Sequence, residues 1–158
     1  MRFELTDDQE LIRNTVRDFA EHEVRPGAAA RDRDSEFPAD LLKQLGGMGL
    51  MGAVIPAEYG GADIDPIAYA LVIEELARVD ASLAVTVAVH NSVGAYPIVR
   101  WGTDEQKRRY LPPMATGEAL GAFALTEPQA GSDAANLKCR AVRDGDRYIV
   151  NGVKAWCT

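Results

Sequence analysis

Basic residues are in short supply in this sequence. Its 158 residues hold 17 Lys and Arg against 24 Asp and Glu, a formal net charge of -7 and a pI of about 4.8. No basic arm or Lys/Arg-rich stripe offsets the deficit. That argues against nucleic acid or an anionic membrane as the main partner. Cysteine is scarce as well. Cys139 and Cys157 have neither metal-ligand nor redox-motif spacing, so they read as free, partly buried thiols of a protein in the reducing cytoplasm. No Ser-His-Asp order, Gly-x-Gly-x-x-Gly, His-Glu-x-x-His or zinc-ligand spacing occurs, and no metal site is expected. The opening Met1-Arg-Phe-Glu-Leu-Thr-Asp-Asp8 has acids where a leader peptide would carry an apolar or Arg/Ser-rich run. A charge-free apolar span is also wanting: Ala81 to Val99 comes nearest, but it carries His90 and Asn91 and runs into Arg100-Trp101. It reads as a buried helix, with no stable membrane insertion.

What is present is a helical pattern. Thr6-Asp-Asp-Gln9 and Thr103-Asp-Glu-Gln106 both have capping-box spacing. After the first, Leu11, Ile12, Val16, Phe19, Ala20 and Val24 recur at three- and four-residue steps, and Pro26-Gly27 ends or interrupts that helix. Leu41, Leu42 and Leu45 mark a short helix behind Pro38. Gly60-Gly61 reads as a turn rather than a phosphate loop, since no Lys-Ser/Thr follows it. Ile67 to Val79 is a helix whose Glu74-Glu75 pair suits a solvated face or an interhelical partner. Ala81 to about Val99 is a second, unusually apolar one, although Val85 to Val89 alone would also suit a strand. Being apolar on nearly every face, it calls for neighbours on every face, in the middle of a bundle or at a subunit contact. His90 within it reads as structural, with lining of a ligand channel as the functional alternative. Pro112-Pro113 must kink or end the last helix.

Near residue 117 the pattern changes. Leu120 to Leu125 is short and apolar enough for a strand. Ala141-Val142, the Asp144-Gly145-Asp146 turn, Tyr148 to Val150, Asn151-Gly152 and Val153 to Trp156 read as a β-meander. The expected fold is α+β: an all-α orthogonal bundle of about five to six helices over residues 1–117, then the first strands of an antiparallel β domain over 118–158. The β part reads as unfinished, to be completed by residues beyond 158 or by another polypeptide.

The chemically distinctive stretch is Gly121 to Asp133. Phe123-Ala-Leu-Thr126 leads into Pro128-Gln-Ala-Gly-Ser-Asp133, which offers backbone amides and the Thr126 and Ser132 hydroxyls beside apolar side chains, with Gly131 allowing close backbone approach. Such a turn can grip a phosphate or the polar edge of a flat heterocycle, or it can be an ordinary β-turn. Glu127 lacks a paired carboxylate or base and reads as a structural hydrogen-bonding group. Trp156 and Thr158, two apart on an expected strand, share a face and could hold a planar ligand, or belong to a core.

Leu125-Thr-Glu-Pro-Gln-Ala-Gly-Ser-Asp133 followed by Asn151-Gly-Val-Lys-Ala-Trp-Cys-Thr158 resembles the acyl-CoA dehydrogenases. So do Ile55-Pro-Ala-Glu-Tyr-Gly-Gly61, Ile73-Glu-Glu-Leu-Ala77 and Gly102-Thr-Asp-Glu-Gln-Lys107. The resemblance implies an N-terminal helical domain and the beginning of a middle β domain. A C-terminal helical bundle would follow in the complete protein. It also implies a flavoprotein oxidoreductase of fatty acid β-oxidation. Such an enzyme converts an acyl-CoA to the trans-2-enoyl-CoA with hydride transfer to FAD N5, and hands the electrons to electron-transfer flavoprotein. The family assembly would be a homotetramer, a dimer of dimers. Carried onto this sequence, Phe123, Leu125 and Thr126 would border the flavin ring, with Leu125 and Thr126 bonding its pyrimidine edge. Ser132, beside Gly131, would meet the pyrophosphate. Trp156 would pack beside the isoalloxazine, and Thr158 would reach its N5/O4 side. Cys157 stands where the family usually has isoleucine, which implies a packing change. The catalytic glutamate of most members lies in the C-terminal domain, so no catalytic residue is expected within 1–158. Acyl-CoA oxidases, nitroalkane oxidases and flavin monooxygenases share the fold and are the rival readings. A noncatalytic helical assembly or binding module is the rival of a different class.

Overall fold

The computed structural model describes residues 4–158; the charged opening Met1-Arg2-Phe3 lies outside the described residues. The chain falls into two compact units, Met1–Gly121 and Ala122–Thr158.

The first unit is helical. Helix α1 (Asp7–Phe19) passes through a π-helical segment (Ala20–Val24) directly into α2 (Arg25–Asp34). Then come α3 (Ala39–Gly47), 3-10 turns at Leu50–Gly52 and Ala57–Tyr59, and α4 (Pro66–Ala77). Helix α5 (Ala81–Val89) likewise runs through a π segment (His90–Ala95) into α6 (Tyr96–Trp101), and α7 (Asp104–Ala115) closes the unit. Counting each continuous run once, these are five helical rods among the described residues, within the expected number.

Both capping boxes form. The Gln9 amide donates to Thr6 Oγ1 at 3.2 Å and the Gln106 amide to Thr103 Oγ1 at 3.2 Å; each glutamine accepts from its cap residue's N–H in return. Gln9 Nε2 also donates to Asp65 Oδ1 at 3.1 Å, and Asp65 itself caps α4. Two helix starts are thereby tied together.

Of the two outcomes expected at Pro26-Gly27, an end or an interruption of the first helix, the second is found. Pro26 does not end the first helix. It sits in the first turn of α2, just after a π segment in which the Arg25 N–H reaches back five residues to Ala20 O. Pro97 follows the second π segment in the same way, after Tyr96 N–H bonds Asn91 O. A proline interrupts an α-helix through its missing donor and its clash with the carbonyl four residues back. A wider turn just before the ring lets the helix continue. Pro112 and Pro113 lie in α7, which ends two residues later.

The core is built from Val16, Leu42, Leu45, Val72, Leu76 and Leu83, all at most 2 % exposed. Leu11 is not part of the buried stripe; it lies five residues before Val16, on another face, and is exposed. Glu75 is buried on the core side of α4. It accepts from Arg17 Nη2 at 2.6 Å and Arg17 Nε at 3.1 Å, while Arg78 Nε lies 3.2 Å away. The Arg17 hydrogen bonds and charge, with Arg78 behind them, hold its carboxyl below the usual range. The carboxylate pair thus divides into an exposed Glu74 and an interhelical Glu75.

The span Ala81–Trp101 is long and apolar enough to cross a membrane by length and composition alone. In this unit its Leu83, Ala84, Val87, His90, Asn91 and Ala95 are buried. Within this chain one side of it stays uncovered: Val85, Val93, Tyr96 and Trp101 are exposed. Gly60 takes the left-handed turn expected of it, with φ 84°, whereas Gly61 is needed for space, since a Cβ there would lie 1.9 Å from Ile55 O.

In the second unit, β1 (Arg140–Asp144) pairs antiparallel with β2 (Arg147–Asn151). Gly145 (φ 65°) and Asp146 form the two-residue turn between them. The expected strands at Leu120–Leu125 and Val153–Trp156 do not form. No ladder partner exists for either among the described residues; the second segment is joined to other backbone through the Ala155 N–H bond to Thr126 O.

Truncating a fully buried core side chain tests the packing of the helical unit. Leu76→Ala is expected to lower its stability by about 3 kcal/mol, measured by urea denaturation followed by helical circular dichroism. A loss under ~1 kcal/mol would contradict the assigned core.

Candidate cofactor-binding site

The two sequence segments singled out for chemistry meet within the second unit, through backbone and through one buried carboxylate. The Ala155 N–H donates to Thr126 O at 2.9 Å. Glu127 and Ala130 exchange both backbone hydrogen bonds, at 2.9 and 3.0 Å, closing a tight turn over Pro128 and Gln129.

Glu127 is only 4 % exposed, and both its oxygens are fully engaged. Oε2 accepts from the Lys138 amide at 2.7 Å and Gln129 Nε2 at 2.6 Å. Oε1 accepts from the Cys139 amide at 2.9 Å and Lys154 Nζ at 3.0 Å. The Lys138 amide foremost, then the Cys139 amide, Lys154 and Gln129, favour the charged form against the burial that opposes it. The carboxyl is held down to about 2. Glu127 is therefore a structural acceptor, as its sequence context suggested, and a proton donor at neutral pH it is not.

Around this hub the proposed ligand residues are open. Phe123 is 49 % exposed, Leu125 37 % and Trp156 91 %; Val142, Tyr148, Ile149, Val150 and Val153 of the same unit are exposed as well. Trp156 also has φ 58°, so it does not continue a strand, and the expectation that it shares a strand face with Thr158 fails. A bulky residue in the left-handed region is strained by about 1–2 kcal/mol, and such strain concentrates at functional sites. Gly131 has no neighbour within 4 Å of a would-be Cβ, and Ser132 and Thr158 are exposed. Cys157 is exposed too, with Sγ 3.8 Å from Ala155 O, while Cys139 is half-buried.

The polar groups divide by type. Leu125 O accepts from Lys154 Nζ at 2.8 Å and Thr126 O from Ala155 N–H. Among the described residues no hydrogen bond uses the Leu125 or Thr126 amide, or the hydroxyls of Thr126 and Ser132. Carbonyls occupied, donors free: the arrangement presents N–H and O–H groups beside uncovered apolar surface. That donor set fits a flat, acceptor-rich heterocycle carrying a phosphate. Among the described residues no three His, Cys, Asp or Glu side chains are placed to hold a metal ion.

Residues 6–118 match the family model for the acyl-CoA dehydrogenase N-terminal domain, and residues 122–158 match that for the acyl-CoA dehydrogenase middle domain. This chain belongs to the acyl-CoA dehydrogenase family. A probable acyl-CoA dehydrogenase of Bacillus subtilis is 46% identical over 158 residues, all of this chain and 42% of the relative. A short-chain-specific acyl-CoA dehydrogenase of Clostridium acetobutylicum is 45% identical over the same length, again 42% of the relative. The crystal structure of an acyl-CoA dehydrogenase complexed with FAD from Bacillus anthracis superposes with a TM-score of 0.91 at 40% identity. It covers 98% of this chain and 27% of that one. The chain thus spans about two fifths of the length of the curated acyl-CoA dehydrogenases it matches.

Two buried residues outside the expected set matter to the helical unit. His90 is fully buried, so it lines no channel: Nε2 donates to Met114 O at 3.1 Å and Nδ1 accepts from the Gly121 N–H at 3.0 Å. Burial pushes its pKa down, leaving a neutral ring with a fixed tautomer. Asn91 donates to Leu50 O and Val87 O, at 3.0 and 3.1 Å, and accepts from Val54 N–H at 3.4 Å. Gly94 and Gly121 pack so closely that a Cβ on either would lie within 2.9 Å of the other's Cα. Lys154 lies in the second motif, and its ammonium reaches Leu125 O and Glu127 Oε1 of the first. Only its spacing from Glu127 on a neighbouring segment, invisible in the sequence, reveals its function as a strap.

The Glu127 environment is directly measurable. The Lys138 and Cys139 amide proton resonances should report its titration with a midpoint near 2. Because the folded pKa lies below the unfolded value of about 4.3, the stabilisation is complete above that value. It is lost as pH falls from ~5 towards 2. A midpoint at or above ~4.3 would rule out the hub as described.

Proposed function

We propose that this chain is the N-terminal part of an FAD-dependent acyl-CoA dehydrogenase that oxidises an acyl-CoA thioester to the trans-2-enoyl-CoA. The observation that carries the reading is the donor-rich, apolar surface formed where Thr126 and Ala155 pair. Beside that pairing the Leu125 and Thr126 amides and the Thr126 hydroxyl have no partner among the described residues, and Leu125 and Trp156 are exposed, which supports their being flavin contacts. Family membership supports it, and the short-chain-specific relative supports a small acyl group.

In this reading the Leu125 and Thr126 amides and the Thr126 hydroxyl donate to the pyrimidine edge of the flavin. Phe123, Leu125 and Trp156 supply apolar cover and exclude water from it. Ser132, next to the unobstructed Gly131, donates to the pyrophosphate. Thr158 contributes a hydroxyl on the Trp156 side. Bound FAD would supply the hydride acceptor. The general base that removes the α-proton belongs to a part of the protein outside residues 1–158. Electron-transfer flavoprotein is the acceptor and a homotetramer the assembly that the family resemblance supports. A reducing cytoplasmic setting accords with two free thiols.

The complete protein is expected to purify with the visible absorption band of FAD and to bleach on anaerobic addition of a short acyl-CoA. Residues 1–158 alone are expected not to retain stoichiometric FAD. Thr126→Ala and Trp156→Ala should each weaken FAD binding to the complete apoprotein about tenfold, or ~1.4 kcal/mol. A complete protein that takes up no flavin sinks the reading. Stoichiometric flavin on residues 1–158 would instead show that the rest of the protein is not needed to hold it.

A further inference from the structure

The Leu125–Thr126 peptide is engaged at one end only. Its carbonyl, on Leu125, accepts from the Lys154 ammonium at 2.8 Å. Its N–H, on Thr126, meets no acceptor among the described residues. A peptide is a conjugated unit, so a cation on its oxygen draws electron density from its nitrogen and makes the N–H a stronger donor. Lys154 is held in place to do this. Its Nζ also donates to Glu127 Oε1 at 3.0 Å, its side chain is 24% exposed, and the next residue is fixed by the Ala155 N–H bond to Thr126 O. Glu127 spreads its own charge over three other donors, the Lys138 and Cys139 amides and Gln129. It anchors the ammonium at a point from which Nζ donates to Leu125 O as well.

We propose that Lys154 is a positioning residue that polarises the Leu125–Thr126 peptide, so that the Thr126 amide donates most strongly to a ligand atom carrying negative charge. The inference rests on the FAD reading above. Lys154 itself acts through the peptide and makes no contact with the ligand. A donor strengthened in this way discriminates between redox forms. It favours the reduced flavin, which carries more negative charge at its pyrimidine edge, over the oxidised one.

The test uses the full-length protein and three substitutions. Lys154→Met removes the charge and keeps most of the stem, Lys154→Gln leaves a neutral donor, and Lys154→Arg keeps the charge. FAD affinity of the apoprotein is read by fluorescence titration, the midpoint potential by dye-coupled reduction, and folding by thermal melting of the apoprotein. Lys154→Arg is expected within about twofold of the wild type in affinity, with its potential unmoved. Lys154→Met should bind oxidised FAD more weakly and lose about tenfold of its preference for the reduced form. For a two-electron couple that is a shift of about 30 mV to more negative potential. Lys154→Gln should shift in the same direction, and it carries the test if Lys154→Met does not fold. A strap with a purely structural role predicts weaker FAD binding at unchanged potential. That result, or variants indistinguishable from the wild type, overturns the proposal. A wild-type protein that takes up no FAD overturns instead the reading on which it rests.

Discussion

The buried carboxylate of Glu127 is the interaction on which the second unit depends. A unit of 37 residues with a single two-stranded ladder has little apolar surface to bury. Its irregular segments must therefore be organised by polar groups. Glu127 does this by accepting from a side-chain amide in its own turn, from two backbone amides at the approach to β1, and from Lys154 beyond β2. Leaving such an acceptor unmatched is costly, and four donors converging on one carboxylate fix three chain segments at once. The candidate ligand contacts are what this arrangement leaves over: amides, hydroxyls and apolar side chains that no internal hydrogen bond claims.

The helical unit solves a different problem by different means. There the apolar stripes of long helices do the work, and polar contacts appear where helices must be registered against one another. Gln9 ties the caps of α1 and α4, and Glu75 pairs with Arg17 across the same two helices. Asn91 satisfies backbone groups near the Leu50–Gly52 turn. His90 and the Gly94–Gly121 approach fix the last residue of the unit, from which the chain continues into the second.

Much of this was legible in the sequence because the signals are local. A Thr followed three residues later by Gln names a helix start whatever surrounds it, and both instances form. Asp144-Gly145 announced the hairpin for the same reason, since the turn needs a residue with positive φ. The failures share a cause as well. Leu120–Leu125 and Val153–Trp156 are apolar enough for strands, but a strand exists only through its partner, and partners are not written in the segment itself. The two π segments were hidden because a proline looks like a stop, while the wider turn that accommodates it has no sequence signature of its own. The candidate site was readable as a set of residues through resemblance, yet the pairing that unites it was not. Nothing in the spacing of Glu127 and Lys154 foretells that an ammonium from one motif sits on the carbonyl and carboxylate of the other.

The central claim is that these two motifs form one ligand surface because Glu127 joins them. A double-mutant cycle on FAD binding to the full-length protein, using Glu127→Gln, Trp156→Phe and the double variant, tests it most directly. If the carboxylate sets the placement of the tryptophan, the losses will not add, and a coupling of at least ~0.5 kcal/mol will separate the double variant from the sum of the singles. Strict additivity would mean that the two motifs bind independently, and would contradict the account.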